Sequence, residues 1–193
     1  GTVLVNTAEM LLGDKYYDQA LTTARLAQQS GVELEPRYAY GASLVQGHSA
    51  FELGEYAEAE SALLSASTYE KLSRKDRGAL RQKAAASIYK QGEAVKDSNP
   101  DIAVEQWLRL AEVVPESELR ESAEYDAATL LMHVENYERA ESVLLSFREN
   151  HPNSEFSKDI RSKLIIAYEG QEQWRKAALE LRAISDGGTD DEE

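Results

Sequence analysis

The side chains of this chain that could do chemistry are three histidines, 35 carboxylates and one short basic run. Imidazoles bind metals when two of them share a helical face at short spacing, as in His-x-x-x-His. His48, His133 and His151 are far apart in sequence. Each therefore reads as a neutral surface or groove residue. Carboxylates are so common that pairs of them mean little. Glu116, Glu118, Glu121 and Glu124 crowd the expected start of one helix, where the helix dipole favours negative charge, and they read as a solvated first turn. Residues 74–83 run against the net charge of −14, with five bases and one acid. Within them Arg74, Arg77 and Arg81 fall at i, i+3, i+7 and line one side of a helix. They read either as an anchor for an acidic partner or as a solvated face that balances acidic neighbours.

Other chemistries find no support. The absence of cysteine removes thiolate nucleophiles, disulfides and zinc–thiolate sites. No Gly-x-Gly-x-x-Gly and no phosphate loop occurs. No catalytic residue, metal or cofactor is expected. An excess of 35 acidic over 21 basic residues repels phosphate backbones, so nucleic acid is not an expected partner. No apolar run approaches the roughly 18 residues that cross a bilayer. The chain opens Gly-Thr-Val-Leu-Val, in apolar residues. Gly1 reads as a cloning remnant and the chain as a piece of a longer protein.

The elements that would carry these residues announce themselves through a repeat. Tyr17–Ala20, Tyr56–Ala59, Tyr137–Ala140 and Trp174–Ala177 are aromatic–alanine pairs at one spacing, and Ala103 continues the series behind Pro100. The alanines are 39, 44, 37 and 37 residues apart. A period of roughly 20–50 residues marks stacked repeats. Four residues after each alanine come Ala24, Leu63, Trp107, Leu144 and Leu181, and seven after come Ala27, Ala66, Leu110, Phe147 and Ile184. That spacing makes one apolar helical face. It puts Trp107 and Trp174 in the core rather than on a ligand platform. Five residues before the alanine stand Gly54, Glu135 and Glu172, at a turn between antiparallel helices where a glycine tolerates left-handed dihedrals. Gly47, Ala128 and Ile165, with Ala50, Leu131 and Tyr168, form the inner stripe of the preceding helices.

The pattern predicts an all-α chain of ten helices in five hairpins, near 3–13 and 16–30, 36–53 and 55–70, 76–96 and 99–113, 117–134 and 136–150, 156–170 and 173–185. Pro152 should stop one helix and Asn153 or Ser154 cap the next, with Val114-Pro-Glu-Ser117 doing the same one unit earlier. Ser98-Asn99-Pro100 supplies a cap followed by proline at the first helical position. The third unit has a lengthened turn. Residues 1–185 form the solenoid, and 186–193 are expected to be a disordered acidic tail.

Leu53-Gly54-Glu-Tyr56-Ala-Glu-Ala59 with Gly47, and Asn136-Tyr137-Glu-Arg-Ala140 between Ala128 and Pro152, resemble the tetratricopeptide repeat. The resemblance covers nearly the whole chain, in degenerate copies of more than the usual ~34 residues. The long units with an Asn-His-Pro-Asn-Ser connection are similar to bacterial cell-envelope members, which implies a periplasmic location, with the cytoplasm as the alternative. The family implies a right-handed α–α superhelix that binds a peptide, a helix or a partner domain on a concave face lined by first helices. Carried onto this chain, that face comprises Leu44, His48, Phe51 and Glu52, then Gln82, Ala86, Tyr89 and Lys90, then Tyr125, Thr129, Met132 and His133, and finally Ser162, Ile166 and Glu169. Phe51, Tyr89, Tyr125 and Met132 read either as a partner-binding stripe or as packing between repeats. As a stripe, Phe51→Ala or Tyr125→Ala would weaken binding with little change in melting temperature. Two alternatives stand beside a scaffold. One is a homo-oligomer formed through the apolar N-terminal repeat, and the other is a helical appendage of an enzyme whose catalytic domain lies elsewhere.

Overall fold

A computed structural model describes residues 1–31 and 33–187. The described residues form ten α-helices and no strand: α1 (Thr2–Gly13), α2 (Tyr17–Gln29), α3 (Pro36–Glu52), α4 (Tyr56–Ser67), α5 (Arg74–Val95), α6 (Pro100–Val113), α7 (Arg120–His133), α8 (Tyr137–Asn150), α9 (Ser157–Gly170) and α10 (Trp174–Gly187). The expected acidic tail lies, from residue 188 onward, outside the described residues. The chain divides into two compact units, residues 1–93 with 109–119 and residues 94–108 with 120–193. In the first unit α1 packs on α2, α2 on α3 and α3 on α4, with a further contact of α1 on α3. In the second, α7, α8, α9 and α10 pack in succession.

One turn builds four of the hairpins. The residues five before the alanines are Lys15, Gly54, Glu135 and Glu172, with φ of 62°, 81°, 58° and 57°. The amide after each reaches back five residues: Tyr16 to Leu11, Glu55 to Ala50, Asn136 to Leu131 and Gln173 to Tyr168, at 2.8–2.9 Å. The left-handed residue itself bonds three residues back. This Schellman pattern satisfies the last carbonyls of one helix, and the next helix starts one residue later. Gly54, Glu135 and Glu172 stand at the turn as expected, and the structure adds Lys15 and shows all four to be left-handed. The third turn is different. Asn99 Oδ1 accepts from the Ile102 amide at 3.4 Å, and Pro100 opens α6.

All five alanines are buried, from 0% exposure at Ala20, Ala59, Ala103 and Ala140 to 3% at Ala177. The positions four and seven residues on are buried in α2, α4, α6 and α8 but open in α10, where Leu181 and Ile184 are exposed. Trp107 is buried as expected. Trp174, expected in the core, is exposed. The reason is visible one unit earlier: Tyr137 packs its ring on Gly170 of the following hairpin, and among the described residues no hairpin follows α10. The loop serines also differ from expectation. Ser154 Oγ accepts from the Phe156 amide at 3.0 Å and Ser117 Oγ from the Leu119 amide at 3.1 Å. Both brace a turn before the helix, and the residue preceding α9 is Phe156.

Candidate partner-binding surface

In the first unit the stripe from α3 meets the side chains of α5. Leu44 and Phe51 lie partly buried against the core formed by Leu21, Ala59, Leu63 and Leu80. The Phe51 ring meets Tyr56 edge-on, with centroids 5.6 Å apart. Lys83 Nζ sits 4.6 Å from the Phe51 centroid and 3.2 Å from Glu52 Oε1. His48 is half-buried beside them. Burial pushes its pKa down and the Lys83 charge adds to this, with Glu52 in opposition. Its imidazole is therefore neutral at physiological pH, one nitrogen donating and the other accepting. Gln82 faces elsewhere: its Oε1 accepts from Ser117 Oγ at 3.1 Å and its Nε2 donates to the Glu116 carbonyl at 3.2 Å. Tyr89 is half-buried, and exposed Lys90 pairs with Glu93 at 2.6 Å.

The second unit repeats the arrangement. Tyr125 stacks on Phe156 with centroids 4.2 Å apart, and its hydroxyl donates to Asp159 Oδ2 at 2.7 Å. Lys163 Nζ lies 5.1 Å from the Tyr125 centroid and pairs with Asp159. Burial raises the Asp159 pKa, but the bonds from Lys163 and Tyr125 outweigh this and leave it below the ordinary value. Thr129 Oγ1 is buried without a hydrogen-bond partner among the described residues, Met132 is half-buried, and His133 and Ile166 are exposed. Each unit thus presents an aromatic ring, a lysine over it and a carboxylate holding the lysine. A lysine over a ring is a modest attraction of about 0.5–1 kcal/mol when exposed. Lys83, Lys163 and Asp159 were not among the residues expected on this face, Lys83 having been read only as part of the basic run. The two lysines each follow an expected face position, Gln82 or Ser162, by one residue, and that common offset was the available signal. Phe51 and Tyr125 each carry packing within the fold, so truncating either costs stability as well as surface.

The basic run is largely committed within the first unit. Arg77 Nη2 donates to the Tyr69 carbonyl at 3.1 Å, and Nη1 donates to that of Ser67, so this side chain closes the end of α4. Arg81 Nη2 donates to the Val113 carbonyl at 3.0 Å, and the guanidinium pairs with Glu116. Of the three arginines only Arg74 keeps an exposed side chain with no such partner among the described residues. The acidic cluster is only in part a solvated first turn: Glu118 is exposed and Glu121 stands in the first turn of α7. α7 begins at Arg120. Glu124 is buried, taking bonds from Arg120 Nε at 2.7 Å and His151 Nε2 at 2.9 Å.

Two carboxylates at a matching phase, one residue after their alanines, tie neighbouring helices together. Glu60 accepts from Gln91 at 2.7 Å and from Arg109 at 2.7 and 2.8 Å. Glu141 accepts from Gln171 at 2.9 Å and Lys176 at 2.8 Å. Burial pushes both pKa values up, yet these bonds prevail and both lie below the ordinary carboxylate range.

The first unit also contains an open cleft of about 550 Å³ between the start of α3 and the end of α4, lined by Pro36, Arg37, Tyr40, Ser43, Tyr69 and Lys71 among others. Tyr40 and Tyr69 stack at 4.8 Å on its wall. Among the described residues no group of three or more His, Cys, Asp or Glu side chains is placed to hold a metal ion, and no helix is long and apolar enough to cross a membrane. No family model matches the chain, and no curated protein matches it. The functional reading therefore rests on the chain's own geometry.

Proposed function

We propose that this chain is a non-catalytic interaction scaffold of tetratricopeptide type. It would be a right-handed solenoid of about five helix-turn-helix units that receives a peptide, a helix or a partner domain on the stripe presented by its first helices. The observation that carries this reading is the recurring hairpin: a Schellman turn, a buried alanine five residues later and an apolar seam behind it. Units stacked this way contact mainly their neighbours and leave an extended surface for a partner. The half-buried His48 and Phe51 of the first unit, and the half-buried Met132 and exposed Ile166 of the second, each set with a lysine over an aromatic ring, have the mixed apolar and polar character of an interface. The similarity of the long units to cell-envelope members favours a periplasmic partner, and fractionation of the source cells tests that location.

The test uses residues that carry little packing. His48→Ala and Ile166→Glu should leave the melting temperature within a degree or two of the parent, while capture of partners from the source cells falls for both. Lys75→Ala, exposed at the start of α5, serves as the control. If the stripe variants capture the same proteins in the same amounts as the control, the binding surface lies elsewhere.

A further inference from the structure

The α3–α4 hairpin packs against α2 and shares a buried core with α5. At its open end lies the cleft of about 550 Å³ between the start of α3 and the end of α4. Cavities of roughly 300–1,000 Å³ take small ligands. Internal bonds hold its walls. Arg77 donates to the carbonyls of Ser67 and Tyr69, Thr68 Oγ1 donates to the Ser65 carbonyl at 2.7 Å, and the Tyr69 ring lies on Tyr40 with 16° between the planes. Much of the polar chemistry lining the cleft is left over. The Ser43 and Ser65 hydroxyls meet only each other, at 3.5 Å. The Tyr40 and Tyr69 hydroxyls make no hydrogen bond with another described residue. Two bases, Arg37 and Lys71, and two acids, Glu35 and Glu70, share the cleft. None of the four side chains makes an ion pair or hydrogen bond with another described residue.

We propose that this cleft binds a short neutral saccharide. Its charge selects against the other ligand classes. An anion drawn to Arg37 and Lys71 also meets Glu35 and Glu70, and a cation meets the reverse. A zwitterion occupies one charge of each sign and leaves the other two unused. An apolar ligand strips water from hydroxyls and charges and returns no hydrogen bond, which is costly. A sugar hydroxyl donates and accepts at once. It can therefore take a bond from Arg37 or Lys71, give one to Glu35 or Glu70, and do either with the serine and tyrosine hydroxyls. The sugar ring also has an apolar C–H face, and the half-buried tyrosine rings that line the cleft offer broad apolar area with a polar tip. The cleft shares α3 with the first-helix stripe but lies at the opposite end of that helix from His48 and Phe51, so the two sites can be tested separately.

Heteronuclear NMR of the full chain tests this. Cellobiose, maltose and N,N′-diacetylchitobiose serve as neutral disaccharides, with glycylglycine as the zwitterion and inorganic phosphate as the anion. At millimolar concentration at least one disaccharide should shift the amides of residues 36–43 and 65–71 saturably, while glycylglycine and phosphate leave them in place. Arg37→Ala with Glu70→Ala removes two exposed side chains that hold nothing in the fold. The melting temperature should stay put and the dissociation constant should rise about tenfold. Tyr69→Ala should weaken binding at least as much, and a circular-dichroism melt checks that it folds. Tyr69→Phe, which keeps the ring, should retain most of the affinity. Lys96→Ala, exposed and outside the cleft, should bind as the parent does. The proposal is overturned by a panel in which no disaccharide moves these amides, by glycylglycine or phosphate binding more tightly than any sugar, or by an Arg37→Ala, Glu70→Ala double variant that binds like the parent. His48 and Ile166 are untouched throughout, so such a failure leaves the first-helix stripe unaffected.

Discussion

Three hairpin turns hold a residue other than glycine in the left-handed region: Lys15, Glu135 and Glu172, with φ of 62°, 58° and 57°. The fourth has Gly54, with φ of 81°. A side chain there crowds Cβ against the following carbonyl oxygen at a cost of about 1–2 kcal/mol. Glycine escapes that cost but gives up about 0.5–1 kcal/mol through the greater freedom of the unfolded chain. The difference predicts that Glu135→Gly stabilises by about 0.5–1 kcal/mol, and Glu172→Gly and Lys15→Gly likewise. Their side chains make no hydrogen bond or ion pair among the described residues, so no contact is lost. The turns are far apart in sequence and share no partner, so a triple variant should gain about 1.5–3 kcal/mol, near the sum. Gly54→Ala is the mirror experiment and should lose about 1 kcal/mol. Urea unfolding at constant m reads each change as a shift in midpoint. Hydrogen exchange should confine the effect of Glu135→Gly to α7 and α8. A null or negative result for Glu135→Gly, together with a harmless Gly54→Ala, would refute the strain argument.

Gly47→Ala should cost about 1–3 kcal/mol by overpacking, because an added Cβ would lie 2.6 Å from Leu63 Cγ and 3.1 Å from its backbone nitrogen. Gly78→Ala, with nothing within 4 Å, should instead stabilise by about 0.5–1 kcal/mol, and thermal melts of the two should move in opposite directions. The Arg25 hydrogen bond holds the Glu58 carboxyl at about 2, against an ordinary value of 4.5 and despite some burial. Its contribution is complete above pH 4.5 and is lost as pH falls toward 2. Unfolding midpoints between pH 2 and 6 should therefore fall less steeply for Glu58→Gln than for the parent, and parallel curves would sink the assignment. Tyr125→Phe keeps the stack on Phe156 but removes the bond to Asp159. It should cost about 1 kcal/mol, and Tyr125→Ala clearly more. An unchanged melting temperature for the alanine variant would return Tyr125 to the set of purely surface residues.

Much of the helical plan was readable because it depends on local rules. A 3.6-residue period, an alanine where helices approach closely and a recurring turn position leave marks within a few residues of one another, so all ten helices of the described residues begin within three residues of the expected place. Glu135 and Glu172 were placed at the turn although neither is the residue type that favours it, because register from the neighbouring copies overrode propensity. The candidate surface was less legible. Its positions on α3 and α7 followed from phase, but the lysines over Phe51 and Tyr125 come from helices more than thirty residues away. Sequence spacing does not say which long, flexible side chain reaches which ring.

The same limit explains the basic run and the acidic cluster. Whether Arg77 and Arg81 face solvent depends on where the carbonyls of Tyr69 and Val113 come to rest, and whether Glu124 is solvated depends on His151 folding back onto it. Trp174 shows the limit most directly. It occupies the same place in its unit as Tyr137, yet it is exposed because burial requires a following hairpin that the described residues do not contain. By itself the sequence determined which residues form helices, where the turns fall and which face of each helix is apolar, since all three are set by neighbours along the chain. Which apolar faces are covered, and which charges are spent on internal bonds, was decided only by tertiary packing, because burial and pairing are properties of what lies across the gap.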